Sequence, residues 1–544
     1  MSSRSERIDD STADVIAANL DGHSLTLRDV ADVARTPHAV RVALSARAEA
    51  AMARSVATRN HLIESGTPVY GATTGFGDSS NRRIGSPSMA ELQRNMMRFM
   101  QVGTGAPAPG EVVRATMLIR ANCLARGCSG IRPEPVRLLM KLIELNILPV
   151  IPERGSVGAS GDLAPLAHLG AVLAGEGEVV HQGVRQPAAE ALKACGLRPV
   201  ELEAKEGLAL INGTSFMAAF AVLAAVDSRR LVFAVELCTA LLVRARHGRP
   251  EEFSAFPHDQ KPHPGQMTSA TAVRTLLQGD GQHPVPCGAA SEARFDDPGF
   301  EDLERRLQEP YSVRCAPHVN GVLRDTLSWV EQWLTVEINS ANDNPLFDAT
   351  TQSVHNSGNF YGGHVAQAMD SLKIAVASTA DLLDRQLQLI VDEKYNRGLP
   401  ANLVAHQHFS GDRAGLHHGF KGMQIAASAL TAEALHLTTP ASAFSRSTEA
   451  HNQDKVSMGT IAARHARRVV DLALNTAAIH VIALCQAVEL RGEALSPTLR
   501  AVHELVRRHV PFAEADRPLH GDIASVTEII RGGLLEQAVQ TDSA

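Results

Sequence analysis

Gly155-Ser156-Val157-Gly158-Ala159-Ser160-Gly161-Asp162-Leu163-Ala164-Pro165-Leu166 joins a glycine- and serine-rich loop to an apolar run of helical spacing. Gly161 or Asp162 is placed to be the N-cap, and Pro165 falls in the first turn, where a missing N–H costs little. Leu163, Leu166, Leu169, Val172 and Leu173 then recur on one face, and Gly175 follows as a stop. The same loop carries a chemical possibility. If the Gly161 nitrogen attacks the Ala159 carbonyl, one water leaves, and loss of the Ser160 hydroxyl removes a second. The product is a methylidene-imidazolinone, an electrophile made from the chain. Glycine supplies the unhindered nitrogen, alanine permits close approach, and serine supplies the leaving hydroxyl. The N-terminus of the following helix sets positive potential beside that ring.

Seven further stretches stand out. Val69-Tyr-Gly-Ala-Thr-Thr-Gly-Phe-Gly77 places Tyr70 among glycines, read locally as a ring packed at a turn. Ile211-Asn-Gly-Thr214 suits a helix N-cap. Gln308-Glu-Pro-Tyr-Ser-Val-Arg-Cys315 spaces Gln308, Tyr311 and Arg314 by three, so one helical face can carry them. Asn339-Ser-Ala-Asn-Asp-Asn-Pro-Leu346 is polar and turn-like. His355-Asn-Ser-Gly-Asn-Phe360 ends on a ring suited to a core. Gly419-Phe-Lys-Gly422 and His451-Asn-Gln-Asp-Lys-Val-Ser-Met458 carry Lys421 and Gln453.

Together with the opening stretch, these segments resemble the aromatic amino acid ammonia-lyases and aminomutases, in that family's order, from about residue 20 to about residue 495. The resemblance implies the cyclised Ala159-Ser160-Gly161 group as cofactor, with no metal or diffusible cofactor. It makes Tyr70 the base for the substrate's β-proton and Arg314 the two-pronged clamp for its carboxylate. Asn212 bonds the carboxylate and the ring, and Gln308 and Tyr311 complete the catalytic set. A free phenol titrates near ~10, so Tyr70 needs positive charge or donors to hold a phenolate. Asp78 is expected to face solvent. Asn344, Phe360 and Lys421 are the implied substrate-facing members. Gln453 and Lys455 stand where histidine ammonia-lyases carry Glu and His, and a neutral amide suits an uncharged ring. Phe99 and Met100 offer only apolar contact to that ring. The expected activity is therefore elimination of ammonia from L-phenylalanine to give trans-cinnamate. An aromatic 2,3-aminomutase is the alternative, followed by a tyrosine or histidine ammonia-lyase.

Composition is compatible with this reading. The chain has 544 residues, 44% hydrophobic and 20% charged, enough for a large core. A net charge of -7 argues against a nucleic-acid partner. Seven scattered cysteines without CxxC spacing suggest a reduced, cytoplasmic setting, and the polar start lacks an apolar signal region. Gly207–Val226 has no charge but contains Asn212, Thr214 and Ser215, so it reads as a buried helix and not a membrane span.

The expected fold is mainly α: an elongated bundle of long central helices with a mixed N-terminal head carrying the cyclising loop. Residues 1–18 are expected to be disordered, 19–206 to form the head, and 207–544 the long-helix core and C-terminal helices. Residues 24–65 suggest short helices, 176–186 a hairpin, and 246–310, rich in Pro, His and Asp, connecting loops. Long amphipathic helices are expected at roughly 214–245, 318–340, 360–393, 419–438 and 457–492. The resemblance implies a homotetramer whose sites are shared between subunits.

Overall fold

The computed structural model describes residues 15–278, 300, 306–408, 411–492 and 494–541. They divide into two compact units: 1–223 with 331–369 and 440–464, and 224–330 with 370–439 and 465–544. These units interleave along the chain, so they do not correspond to one cut after residue 206. The fold is mainly α. Among the described residues every strand lies in the first unit, and the second is built from helices.

The first unit opens with Ile16–Leu20 paired in parallel with Val40–Leu44, Ile16 opposite Val40 and Leu20 opposite Leu44. Helix Leu27–Arg35 connects them and starts on a capping box between Thr26 and Asp29. Residues 1–14 of the expected disordered start lie outside the described residues, while Ile16–Ala18 are strand. Val40 to Leu44 is likewise strand and not helix, because Val40 and Val42 face inward while Arg41 and Ala43 face out. The hairpin appears as Glu178–His181 against Val184–Pro187, joined by Leu148–Pro149.

Helix Gly110–Ala125 is buried along nearly its whole length, including Arg114, Arg120 and Asn122. Buried polar groups need partners. Arg114 donates to the Ala34 carbonyl at 2.7 Å, and Asn122 to the Ile338 carbonyl at 2.9 Å. Arg120 donates to the Ala209 carbonyl at 2.6 Å and to Asn342 at 2.9 Å. Lys205 and Asp343, both fully buried, pair at 2.5 Å, and Ser129 donates to the same carboxylate at 2.8 Å. Such pairs act as register pins, since removing one partner strands a buried charge. Here they lock the segments around residues 205–213 and 339–344 against the buried helix.

The long helices are Ser215–Ala245, Ala316–Ile338, Gly363–Val391 and Gly459–Arg491, with Lys421–His436 shorter. Gly459–Arg491 is long and apolar enough to cross a membrane, yet 89% of its apolar window is buried within the protein. Residues 246–310 contain more than the connecting loops expected. Ala255–Asp259 and Pro264–Gln278 are helical, the second beginning on a proline at its first position. Ala270, Val273, Leu276 and Leu277 are its buried face. Residues 279–299 and 301–305 of that span lie outside the described residues.

Candidate active site

The Ala159-Ser160-Gly161 loop is shaped by three left-handed glycines: Gly155 (φ +126°), Gly158 (+72°) and Gly161 (+72°). At Gly161 the requirement is twofold, because a Cβ there would also overlap the Gly213 carbonyl. Helix Leu163–Leu173 begins immediately after, with Asp162 at its N-cap position. The Asp162 side chain does not cap the helix. Its carboxylate accepts from the Met217 N–H at 2.8 Å, from Thr460 and from Ser156 at 3.3 Å. Complete burial pushes its pKa up to about 6 despite those donors.

Two donors meet the Ser160 carbonyl oxygen: Asn212 Nδ2 at 2.8 Å and the Gly213 N–H at 3.3 Å. The Asp162 N–H donates back to the Gly213 carbonyl at 2.7 Å. Asn212 Oδ1 accepts the Asn344 N–H at 2.8 Å, and Asn344 Oδ1 accepts the Ser357 N–H at 2.7 Å. Gln453 Nε2 donates to Ser160 Oγ at 3.3 Å, while its oxygen accepts from Thr448 at 2.9 Å. The tripeptide thus lies in a cradle with no room for a larger residue at 161. Its central carbonyl already faces two donors, an arrangement suited to an imidazolinone oxygen that gains negative charge.

Tyr70 lies in the 69–84 loop, where Gly77 donates its N–H to the phenol oxygen at 2.8 Å and Phe76 meets the ring edge-on. Gln93, fully buried, braces the loop: it donates to the Gly71 carbonyl at 2.8 Å and accepts from the Leu208 N–H at 3.1 Å. Burial pushes the phenol above its ordinary pKa and the Glu449 carboxylate adds to the rise, against the Gly77 donor. Asp78 is exposed.

A cavity of about 490 Å³ collects these groups within the first unit. Of the residues singled out from sequence, Tyr70, Phe99, Met100, Ala159, Ser160, Asn212, Asn344, Phe360 and Gln453 line it. Gly161, next to Ser160 in the chain, does not line it. Phe76, Met96, Leu163, Leu208, Ile211, Asn356, Glu449, Asn452, Asp454 and Lys455 line it without having been singled out as site residues. Glu449 sits four residues before Gln453 in a turn where Glu449, Ala450 and His451 all have positive φ, a backbone shape the sequence did not announce.

The remaining four belong to the second unit and do not line this chain's cavity. Gln308 is exposed. Tyr311 begins the short helix Tyr311–Arg314 and is 72% exposed. Arg314 stacks 4.7 Å above its ring, with Nε lacking a hydrogen-bond partner among the described residues. Lys421 is exposed at the start of Lys421–His436.

The first unit thus brings the glycine-bound Ala159-Ser160-Gly161 segment and Tyr70 to one cavity. The model of the aromatic amino acid lyase family matches residues 25–508. The histidine ammonia-lyase of Gloeobacter violaceus is 41% identical over 523 residues, covering 96% of this chain and 97% of that one. The tyrosine ammonia-lyase of Cupriavidus metallidurans is 40% identical, covering 96% and 98%. The crystal structure of tyrosine aminomutase from Streptomyces globisporus superposes with a TM-score of 0.89 at 35% identity, covering 97% and 99%. The chain belongs to the aromatic amino acid ammonia-lyase and aminomutase family, and is a carbon–nitrogen lyase of that family. These relatives are named for histidine and tyrosine, so they do not support the expected preference for phenylalanine.

Proposed function

We propose that the chain releases ammonia from an aromatic α-amino acid, with tyrosine the foremost substrate, or shifts that amine to the β-carbon. The observation that carries the reading is the cavity lined together by Ser160, the Asn212 amide that donates to its carbonyl oxygen, and Tyr70. Tyrosine is favoured over histidine because Gln453 and Lys455 stand where the resemblance expects Glu and His in histidine ammonia-lyases. Phenylalanine is the competing substrate, favoured by the apolar Phe99 and Met100 in the cavity lining.

The methylidene-imidazolinone formed from Ala159, Ser160 and Gly161 supplies an electrophilic carbon that turns the amine into a better leaving group. Around it, Asn212 and Gly213 hold the Ser160 carbonyl oxygen. Tyr70 Oη takes the β-proton. Glu449 is the anionic wall suited to the substrate ammonium, and Phe99, Met100 and Phe360 pack its ring. Arg314 forks onto the carboxylate, with Gln308, Tyr311 and Lys421 beside it. We place these last four in the cavity of a neighbouring subunit of a homotetramer, as the resemblance implies. No metal or diffusible cofactor and no nucleic-acid or membrane partner enters this reading, and the cytoplasm is its setting.

Incubation with tyrosine, phenylalanine and histidine separately tests it. The expected result is the unsaturated acid of tyrosine as the main product, or β-tyrosine beside it if the mutase activity dominates. Turnover of histidine alone overturns the substrate assignment. Dilution to monomers is expected to abolish activity.

A further inference from the structure

The turn that delivers Lys421 is fastened by a residue beyond the family-matched span, which ends at 508. Gly419 has φ +52°, and a Cβ there would overlap the Asn402 carbonyl. Phe420 is buried and donates its N–H to that carbonyl at 2.9 Å. The two preceding N–H groups have a different partner. Asp516 accepts the His418 N–H on Oδ2 at 2.8 Å and the Gly419 N–H on Oδ1 at 2.9 Å. One carboxylate therefore takes two parallel backbone donors, the strong charge-assisted form of this bond. The Asp516 N–H in turn donates to His417 Nδ1 at 3.3 Å.

The segment carrying Asp516 is itself anchored. Buried Gln486 accepts the Ala513 N–H at 3.0 Å and donates to the Ala513 carbonyl at 3.1 Å. Arg517 pairs with Asp522 at 2.6 Å. Between this segment and the 417–426 stretch lies a cavity of about 410 Å³, walled by Val404, Met423, Ala513, Leu519 and Ile523 among others. The Asp516 carboxylate thus fastens a turn that borders an open space.

We propose that Asp516 is a positioning residue for Lys421, holding the 418–419 turn so that the lysine leaves the helix start in one direction. The inference rests on the reading above that Lys421 meets substrate. Asp516 does not touch the reacting atoms.

The test compares full-length wild type with Asp516→Ala, Asp516→Asn, Lys421→Ala and the Asp516→Ala/Lys421→Ala double variant. Kinetics with the preferred amino acid are read beside amide exchange of the 415–423 peptide. Asp516→Ala is expected to raise KM about tenfold, the scale of a lost cap, with a smaller change in kcat. Asp516→Asn keeps one acceptor and falls between. The double variant is expected to match Lys421→Ala alone, because coupled positions are non-additive. Exchange at 418–419 quickens in Asp516→Ala while Gly459–Arg491 stays protected. Unchanged exchange, an unchanged KM, or a full Asp516→Ala effect persisting in the Lys421→Ala background overturns the positioning role alone. A wild-type KM in Lys421→Ala overturns the reading of Lys421, and the proposal with it.

Discussion

Asn212 holds the carbonyl oxygen of Ser160 at 2.8 Å with its Nδ2, and its Oδ1 is held in turn by the Asn344 N–H at 2.8 Å. One amide thus aims a donor at the carbonyl oxygen within the Ala159-Ser160-Gly161 tripeptide and is kept from rotating. Asn212→Ala removes that donor and leaves the buried Asn344 N–H unpaired. The expected result is a fall in kcat of roughly 10²-fold, the usual effect of deleting one such donor. Stability should fall by about 1–3 kcal/mol for the orphaned N–H. Steady-state kinetics and urea unfolding measure the two effects separately.

Under the proposed cyclisation, Gly161→Ala acts earlier, on formation of the electrophile. Its new methyl would collide with the Gly213 carbonyl in a left-handed conformation that alanine resists. Purified Gly161→Ala is expected to lack activity and near-UV absorbance from the ring. Its intact mass should exceed that of wild type by two waters plus one methylene. A variant with the cyclised mass and wild-type turnover would count against the cradle argument.

Much of this was legible in the sequence because chemistry and local structure pointed to the same residues. The apolar spacing after Asp162 gives helix Leu163–Leu173, and the glycines before it occupy left-handed positions. The long helices were legible from periodicity. Helix Pro264–Gln278 was missed because Pro, His and Asp in the surrounding span masked its Ala270-Val273-Leu277 face. Strand Val40–Leu44 was missed because alternation over five residues is weak beside its helical neighbours. Glu449 went unnoticed because its role depends on a strained turn folding back toward Gly77, which no local pattern announces. The Asp162 side chain looked like a helix cap and is instead bonded to residues 55 and 298 positions away.

Tyr70 and Glu449 predict a pH profile. Burial and the Glu449 carboxylate both raise the phenol's pKa, so the phenolate fraction near neutrality is small. With Tyr70 as base, kcat climbs as pH rises. Glu449→Gln removes one of the raising influences, so the rising limb should move to lower pH. Burial remains, so the shift is partial. Rate profiles of both proteins under saturating substrate measure it. A limb that stays in place, or moves to higher pH, contradicts the Tyr70 assignment.

His480 predicts a separate dependence, on stability. It is fully buried in Gly459–Arg491, and neither ring nitrogen has a hydrogen-bond partner among the described residues. Burial pushes its pKa from 6.5 down to about 3. The folded state thus holds it neutral where the unfolded state is protonated. The stability this contributes is present above pH 6.5 and is lost as pH falls from 6.5 toward 3. The loss approaches about 1.4 kcal/mol per pH unit. His480→Leu keeps the volume and removes the titration. Its unfolding midpoint in urea should therefore decline less than that of wild type between those limits.

The last prediction concerns Gln453 in the cavity lining. Gln453 bridges Thr448 and Ser160 with its two amide ends, so its oxygen accepts and its nitrogen donates toward the cyclising serine. A carboxylate at that position replaces the amide donor beside Ser160 and adds a charge that favours a cationic ring. Gln453→Glu combined with Lys455→His restores the pair that the resemblance assigns to histidine ammonia-lyases, and both positions line the cavity. The double variant should raise kcat/KM for histidine relative to tyrosine by roughly tenfold or more, the scale of one additional charge-assisted hydrogen bond. Its activity on phenylalanine should fall, because an uncharged phenyl ring gives nothing to the new carboxylate while the charge still has to be desolvated. Competition assays with the two amino acids in one vessel read the ratio directly. If the ratio is unmoved, Gln453 does not select the substrate ring and the preference lies with Phe99 and Met100.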